Sequence, residues 1–332
     1  MRIKYLFTLL TMLLAVSSYT QSTISATENE MLAIDVAYLS SDYLEGRLTG
    51  TEGETKAADY IAARMEALGL KPSGQKGTYF HDFDFTYRPN PHSAEGAEEK
   101  RGRNVVGLLD NGAGQTIVIG AHYDHLGMGG AGSLHTGEPD IHNGADDNAS
   151  GVAAILNIAY KVQHEKGMDK FNYVFIGFSG EELGLYGSKN WTSDPTYPLE
   201  EVTCMLNFDM VGRLNEEKTL VVNGVGTSPL WKGVIEDIAG DFTIKTTESG
   251  VGASDHTSFY LKDIPAIHFF TGQHQDYHKP ADDAHLVNYE GIEDIANLVI
   301  EMIKELPNED KITFTKTTDA KDSRERARFK VT

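Results

Sequence analysis

Apolar positions along the chain fall into two alternating periods. From Thr51 to Leu68 the residues Ala57, Ala58, Ile61, Met65 and Leu68 recur at helical spacing, and Gly69 follows as a stop, so an amphipathic helix is predicted there. Phe83, Phe85 and Tyr87 alternate with polar neighbours as in a half-buried strand, and the polar stretch Pro89 to Arg103 reads as a loop. Short apolar runs fit for buried strands then follow at Asn104 to Leu109, Thr116 to Ala121, Tyr173 to Phe178, Thr203 to Phe208, Leu220 to Val222 and Ala266 to Phe269. Helical stretches separate them at Ser150 to Val162, from Glu182, near Leu230 to Ala239, and from Tyr289 to Leu306. Strands alternating with helices imply an α/β fold, with a mixed, mostly parallel sheet sandwiched between helices. In such sheets ligands collect at the carboxyl ends of the strands.

Composition narrows the picture without changing it. The chain has 332 residues, 40% hydrophobic and 23% charged, enough for a sizeable core, and no low-complexity linker divides residues 28 to 307, so one catalytic-size domain over 27–310 is expected. Forty-nine acidic against 29 basic residues give a formal charge of -20, a field that repels nucleic acid and anionic lipid. Arg2 and Lys4 precede the apolar run Tyr5 to Val16, and small and polar residues follow to Ala26. That order predicts a signal peptide over 1–26 and export to a periplasmic or extracellular medium, because a dozen apolar residues fall short of the roughly twenty that span a bilayer. Cys204 stands alone in an apolar run and reads as a small buried side chain. Residues 311–332 turn highly charged and then open what resembles a strand, so they read either as a short tail or as the start of a further domain.

Five segments place metal-binding side chains just after a predicted strand or in a glycine-marked loop. His122 leaves the strand Thr116 to Ala121, with Asp124 two residues on, where a carboxylate can orient the imidazole. Taken alone, a satisfied structural histidine is the better explanation of this pair. Asp146, Asp147 and Asn148 open a helix, where one such residue would serve as a cap and three exceed that need. Glu181 and Glu182 follow the strand Tyr173 to Phe178; adjacent carboxylates repel unless positive charge lies beside them. Asp209 ends another strand among apolar neighbours and needs either a cation or a partner such as Arg213. His278 lies in the loop before the last helix, where His268, His274 and His285 compete for any role. Two histidines and several carboxylates arriving from neighbouring strand ends form a mixed nitrogen and oxygen set, which suits zinc, with cobalt or manganese as substitutes.

At these residues the sequence resembles the dinuclear-zinc aminopeptidase family, whose relatives include glutamate carboxypeptidases and glutaminyl cyclases. The likeness runs from about Leu44 to His285, including Tyr43-Leu44-Glu45-Gly46-Arg47 and Gly50-Thr51-Glu52-Gly53. The resemblance implies a zinc-exopeptidase fold with two Zn2+ ions: His122 and Asp209 on one, Glu182 and His278 on the other, and Asp146 bridging both. It further implies a cis bond from Asp146 to Asp147, Glu181 as general base, and Asp124 as the partner of His122. Val251 stands where some members hold an oxyanion tyrosine, and Tyr277 matches a second arrangement. Asp255, His256 and Phe259, in the segment Gly252-Ala253-Ser254-Asp255-His256-Thr257-Ser258-Phe259, are the implied substrate-binding residues. The intact His122-Tyr123-Asp124 argues against the single-zinc cyclase branch. Some exported relatives carry a PDZ-like domain after the catalytic one.

The activity so implied is removal of N-terminal residues from peptides that have a free amino terminus. A carboxypeptidase or dipeptidase on the same metals would need clustered cations near the site, and only Arg213 and Lys279 offer themselves. An inactive binding homologue would be expected to have lost ligands. Side-chain preference and oligomeric state are not legible from the sequence.

Overall fold

The computed structural model describes residues 27–88, 95–308 and 310–317. The segment 1–26, read above as a signal peptide, lies outside the described residues, as do 89–94 of the expected loop and the charged end beyond 317.

Among the described residues nine strands form one sheet in the order β1-β3-β5-β4-β6-β9-β7-β8, with β2 also paired to β3. They are β1 (Lys71–Pro72), β2 (Phe80–Tyr87), β3 (Glu98–Leu109), β4 (Thr116–His122), β5 (Asn172–Phe178), β6 (Val202–Phe208), β7 (Thr219–Asn223), β8 (Thr243–Thr247) and β9 (Ala266–Phe270). The centre β5-β4-β6-β9 is parallel. At one side β1, β2 and β3 run antiparallel, and at the other β7 pairs antiparallel with β9 and parallel with β8. The helices are α1 (Glu28–Leu39), α2 (Glu52–Ala67), α3 (Gly151–His164), α4 (Tyr186–Ser193), α5 (Leu230–Ile238), α6 (His256–Tyr260) and α7 (Tyr289–Glu305). Among the described residues none is long and apolar enough to cross a membrane.

Every residue of β4, β5 and β6 is buried, which is why these strands read as continuous apolar runs rather than alternating ones. Their side chains still alternate between two cores. Ile117, Ile119, Tyr173, Phe175 and Leu206 face the larger core beneath α1, α2, α3, α5 and α7; Val118, Val174, Ile176 and Met205 face a smaller one with Trp191 of α4 and Phe259 of α6. The helices therefore sandwich the sheet as the sequence pattern required.

Three local differences from the sequence expectation have simple causes. Helix α1 was not legible as an apolar stripe; it is set by a capping box in which the Thr27 hydroxyl accepts the Glu30 amide and the Glu30 carboxylate accepts the Thr27 amide, and it buries Leu32, Val36 and Leu39. The loop expected up to Arg103 gives way to strand at Glu98, because its polar residues pair across an edge with β2. Residues 311–317, expected to begin the charged tail, pack on the domain: Ile312 donates its amide to Thr203, and Thr317 donates to the Tyr260 hydroxyl.

Glu54, on the first turn of α2, ties the sheet to the helix. Its carboxylate accepts the amides of Gly50 (2.7 Å) and Arg103 (3.0 Å) and the Ser179 hydroxyl (2.5 Å), and burial pushes its carboxyl up to about 7. The folded state thus holds this proton more tightly than the unfolded chain. The resulting stability is present at low pH and is lost as pH rises through about 7, beyond which the ionised group costs up to about 3 kcal/mol. Glu54→Gln should therefore raise Tm relative to the parent by several degrees more at pH 8.5 than at pH 5. A difference in Tm that does not change with pH would show Glu54 ionised throughout.

Candidate metal centre

The carboxyl ends of β4, β5, β6 and β9, together with the turn before α3, converge on one point. His122 is the last residue of β4, Glu181 and Glu182 follow β5, Asp209 follows β6, and Tyr277 and His278 lie in the loop after β9. All six line a cavity of about 470 Å³, with Asp147 at its base.

Asp147 is the hub. One of its carboxylate oxygens lies 3.3 Å from His122 Nε2 and the other 3.2 Å from His278 Nε2. His122 Nε2 also faces Asp209 at 3.4 Å, and His278 Nε2 faces Glu182 at 3.3 Å. Two histidine–carboxylate groups thus share a single carboxylate. The second group has a further candidate, His125, whose Nδ1 lies 2.7 Å from Glu182 and which joins Asp147 and Glu182 in one potential cation-binding set. Tautomers favour His278. The Nδ1–H of His278 donates to the Gly132 carbonyl (2.7 Å) and that of His122 to the Asp124 carbonyl (3.2 Å), so both turn Nε2 toward the carboxylates, the orientation that metal-ligating imidazoles take.

The expected bridge is corrected by one residue. Asp146 points away from the centre: its Oδ1 accepts the Gly212 amide (2.6 Å) and the Ser150 hydroxyl (3.0 Å), and its Oδ2 faces His274 (3.2 Å). The cis peptide bond likewise lies at Asp147-Asn148 rather than Asp146-Asp147. Backbone geometry makes the choice. Gly144 has φ +55, and a Cβ there would sit 2.1 Å from the Asp147 carbonyl oxygen, so the turn folds back tightly enough to send Asp147 forward and Asp146 down.

Asp282, fully buried, holds that turn. Its Oδ2 accepts the amides of both Asp146 (2.9 Å) and Asp147 (3.0 Å), and its carbonyl accepts the Ala145 amide (3.0 Å). Arg213 bonds Asp282 and Asp276 and does not pair with Asp209, whose charge partners among the described residues are the imidazoles of His122 and His268. Arg47, also fully buried, donates to the carbonyls of Leu39, Tyr123, Asn143 and Gly144, fixing the turn from the other side; burial lowers its guanidinium to about 10. Asp124 sits beneath His122, and its carboxylate mainly clamps the turn after β5, accepting the amides of Glu181 (3.1 Å) and Glu182 (3.4 Å).

Burial and charge split the two adjacent glutamates. Burial, then the carboxylates of Asp209 and Glu182, hold the Glu181 carboxyl well above its ordinary value despite the nearby His122. Glu182 is buried too, but hydrogen bonds to His125 and His278 bring it below its ordinary value. The imidazoles respond in kind. Burial works to lower His278, yet Asp147 and Glu182 raise it to about 10. So dense a set of carboxylates, with imidazole Nε2 atoms turned inward, has the donor chemistry of a divalent-cation site, where a cation would take the place of the imidazole protons.

The substrate-binding expectations divide. His256 lines the cavity, whereas Asp255 is buried behind it with both carboxylate oxygens unpartnered. Phe259 does not reach the cavity; it packs on Trp191 (5.6 Å) and Phe178 (6.0 Å) in the smaller core, because its place on α6 turns it into the sheet. Sequence reasoning missed His125 and Asp282. His125 was visible only as a neighbour of His122, and Asp282 as one of two acidic residues in a loop, with no periodicity to rank them.

The fold and this centre define an α/β protein with a candidate cation site, built around a shared carboxylate, at the head of its sheet. Residues 104–303 match the profile of Peptidase family M28, and the chain belongs to that family. It is similar to leupeptin-inactivating enzyme 1 of Streptomyces exfoliatus, 27% identical over 72% of this chain and 47% of that protein. The chain spans about half the length of the first curated relatives it matches. Among solved structures it shares its fold with a zinc aminopeptidase from Bacillus subtilis (TM-score 0.64, 18% identity, 86% of this chain and 98% of that one). It shares it equally with a glutaminyl cyclase from Bacteroides thetaiotaomicron (TM-score 0.67, 18% identity, 84% and 98%).

If Asp147 is the shared ligand, Asp147→Ala should lose both equivalents of tightly held zinc after dialysis, measured by elemental analysis. Asp146→Ala should keep most of the metal with weaker affinity. The reverse pattern would restore the bridge to Asp146.

Proposed function

We propose that this chain is a metal-dependent exopeptidase that removes N-terminal residues from peptides with a free amino terminus. The observation that carries the reading is one carboxylate, Asp147, shared by two histidine–carboxylate groups beside a glutamate that nothing else uses. His122, Asp147 and Asp209 would hold one zinc ion, and Asp147, Glu182 and His278 the other, with cobalt or manganese as possible substitutes. Bound there, divalent cations would polarise the scissile carbonyl and bring a water molecule's pKa toward neutrality.

The chain's own residues supply the rest. The Glu181 carboxylate makes no ion pair or side-chain hydrogen bond with any described residue and lines the cavity, so it is free to accept a proton from the attacking water and return it to the departing amine. Tyr277, stacked on His278 with ring centroids 3.8 Å apart, keeps its hydroxyl protonated, since burial and the surrounding carboxylates push it up; it would donate to the developing oxyanion. Asp124 supports both steps by fixing His122 and the 181–182 turn.

An aminopeptidase is favoured over a carboxypeptidase because no Lys or Arg lies among the described residues lining the main cavity. Arg213 is held by Asp276 and Asp282, and Lys279 donates to the Gln275 carbonyl. The alternative draws on one observation, Arg88 in a second cavity of about 360 Å³ that adjoins Glu182 on the opposite flank. Intact ligands argue against an inactive binding homologue.

Glu181→Gln is expected to lower kcat on aminoacyl substrates by a factor of about 10³ or more with zinc content retained; loss of metal would instead make Glu181 a ligand. Acetylating the N-terminus of a peptide should abolish its turnover. Continued release of C-terminal residues from the blocked peptide would establish the carboxypeptidase reading.

A further inference from the structure

One wall of the main cavity includes the loop 249–253, from which Ser249, Val251, Gly252 and Ala253 line the space. The loop is neither helix nor strand, and among the described residues its hydrogen bonds to the rest of the protein come from two places. Gly252 makes a pair with Thr257 of α6, its amide donating to the threonine hydroxyl and its carbonyl accepting from it, each at 2.8 Å. Gly250 donates its amide to the Thr317 hydroxyl oxygen at 3.3 Å. For the rest the loop closes on itself, through Ser249 and Val251.

Thr317 belongs to a segment that lies after residues 104–303, the part that matches the family profile. Residues 312–317 run over the body as a strap. Ile312 is buried and donates its amide to Thr203 (3.0 Å), Phe314 packs on Tyr260 with ring centroids 5.5 Å apart, and Thr315 donates to the Thr227 carbonyl (2.8 Å). The Thr317 amide then donates to the Tyr260 hydroxyl (3.0 Å), and the Thr317 hydroxyl, which accepts from Gly250, donates to the same oxygen (3.1 Å). One buried hydroxyl thus relays between the cavity loop and the last residue of α6. Gly250 has to be glycine for this, since a Cβ there would lie 2.2 Å from the Tyr260 ring.

We infer that the strap 312–317 sets the shape of the main cavity from outside it, with Thr317 as a positioning residue that fixes the 249–253 wall through Gly250. A short loop held at two points keeps one shape. With Gly250 released only the Thr257 anchor remains, the wall samples several conformations, and a bound substrate has to order them again. That cost falls on substrate and transition state alike, so it raises KM and spares kcat. None of the strap's hydrogen bonds goes to a residue of the candidate centre, so the metal-ligating groups stay as they are.

The test uses the full chain loaded with zinc. Thr317→Val keeps the size of the side chain and removes the relay, and Tyr260→Phe removes its far end; either variant suffices if the other does not fold. Amide hydrogen exchange in 249–253, read by mass spectrometry, should quicken by about tenfold or more, while the turns 144–150 and 179–183 exchange as in the parent and zinc content is unchanged. KM for aminoacyl-4-nitroanilides should rise about threefold or more with kcat within about twofold of the parent, and Thr317→Ser should restore both readings. Unchanged exchange in 249–253 overturns the inference, and so does faster exchange across the whole sheet, which would make Thr317 a residue of general stability. A fall in kcat at constant KM overturns it as well. The kinetic readout rests on the aminopeptidase reading and the exchange readout does not: if the parent turns over no unblocked substrate, that reading fails, while faster exchange confined to 249–253 still supports the strap.

Discussion

A single buried carboxylate, Asp147, governs the arrangement of everything at the head of the sheet. It meets two imidazoles from opposite directions, His122 from a strand end and His278 from a loop, at 3.3 and 3.2 Å. A carboxylate taken out of water costs several kcal/mol unless it is compensated, and two further carboxylates, Asp209 and Glu182, crowd the same space. The surrounding architecture meets this demand by rigidity: Asp282 grips the backbone under Asp147, Arg47 holds the carbonyls of Asn143 and Gly144, and Asp124 clamps the turn carrying the two glutamates. None of these three contacts the cavity chemistry directly, yet each fixes a group that does.

Much of this was readable before any coordinates. The buried strands appear as apolar runs because both faces are covered, and the site follows because α/β sheets gather function at their carboxyl ends. His122, Glu181, Glu182 and Asp209 could each be placed from the strand that delivers them. The Asp146–Asp147 pair could not, since the chain there is neither strand nor regular helix and carries no period from which to read direction. The same holds for Asp282. Helix α1 and strand β8 escaped for different reasons: the first is specified by a cap rather than by a stripe, and the second is a mostly exposed edge of Thr, Ile and Lys with little hydrophobic signal. Phe259 shows the opposite error, in which proximity along the sequence to a pocket residue was taken for proximity in space.

The family match begins at Asn104, but the centre depends on residues before it. Arg47 and Glu54 lie on the chain between α1 and β1, and both reach the core of the sheet, one through carbonyls around the Asp147 turn and the other through Ser179 just after β5. The segment before the family match is thus part of the body that carries the candidate centre and not an appendage to it.

The sheet also divides its labour along its width. Among the described residues, the parallel centre with its flanking loops supplies the candidate metal-ligating groups, while β7, β8 and the 249–253 loop supply cavity wall and none of those groups. Substitutions in that outer wall would reshape the cavity without replacing any group of the candidate centre. A fold organised in this way lets the cavity wall vary while the candidate centre keeps its geometry, and it marks Asn223, Thr247 and Ser249 as the positions from which an engineer would begin.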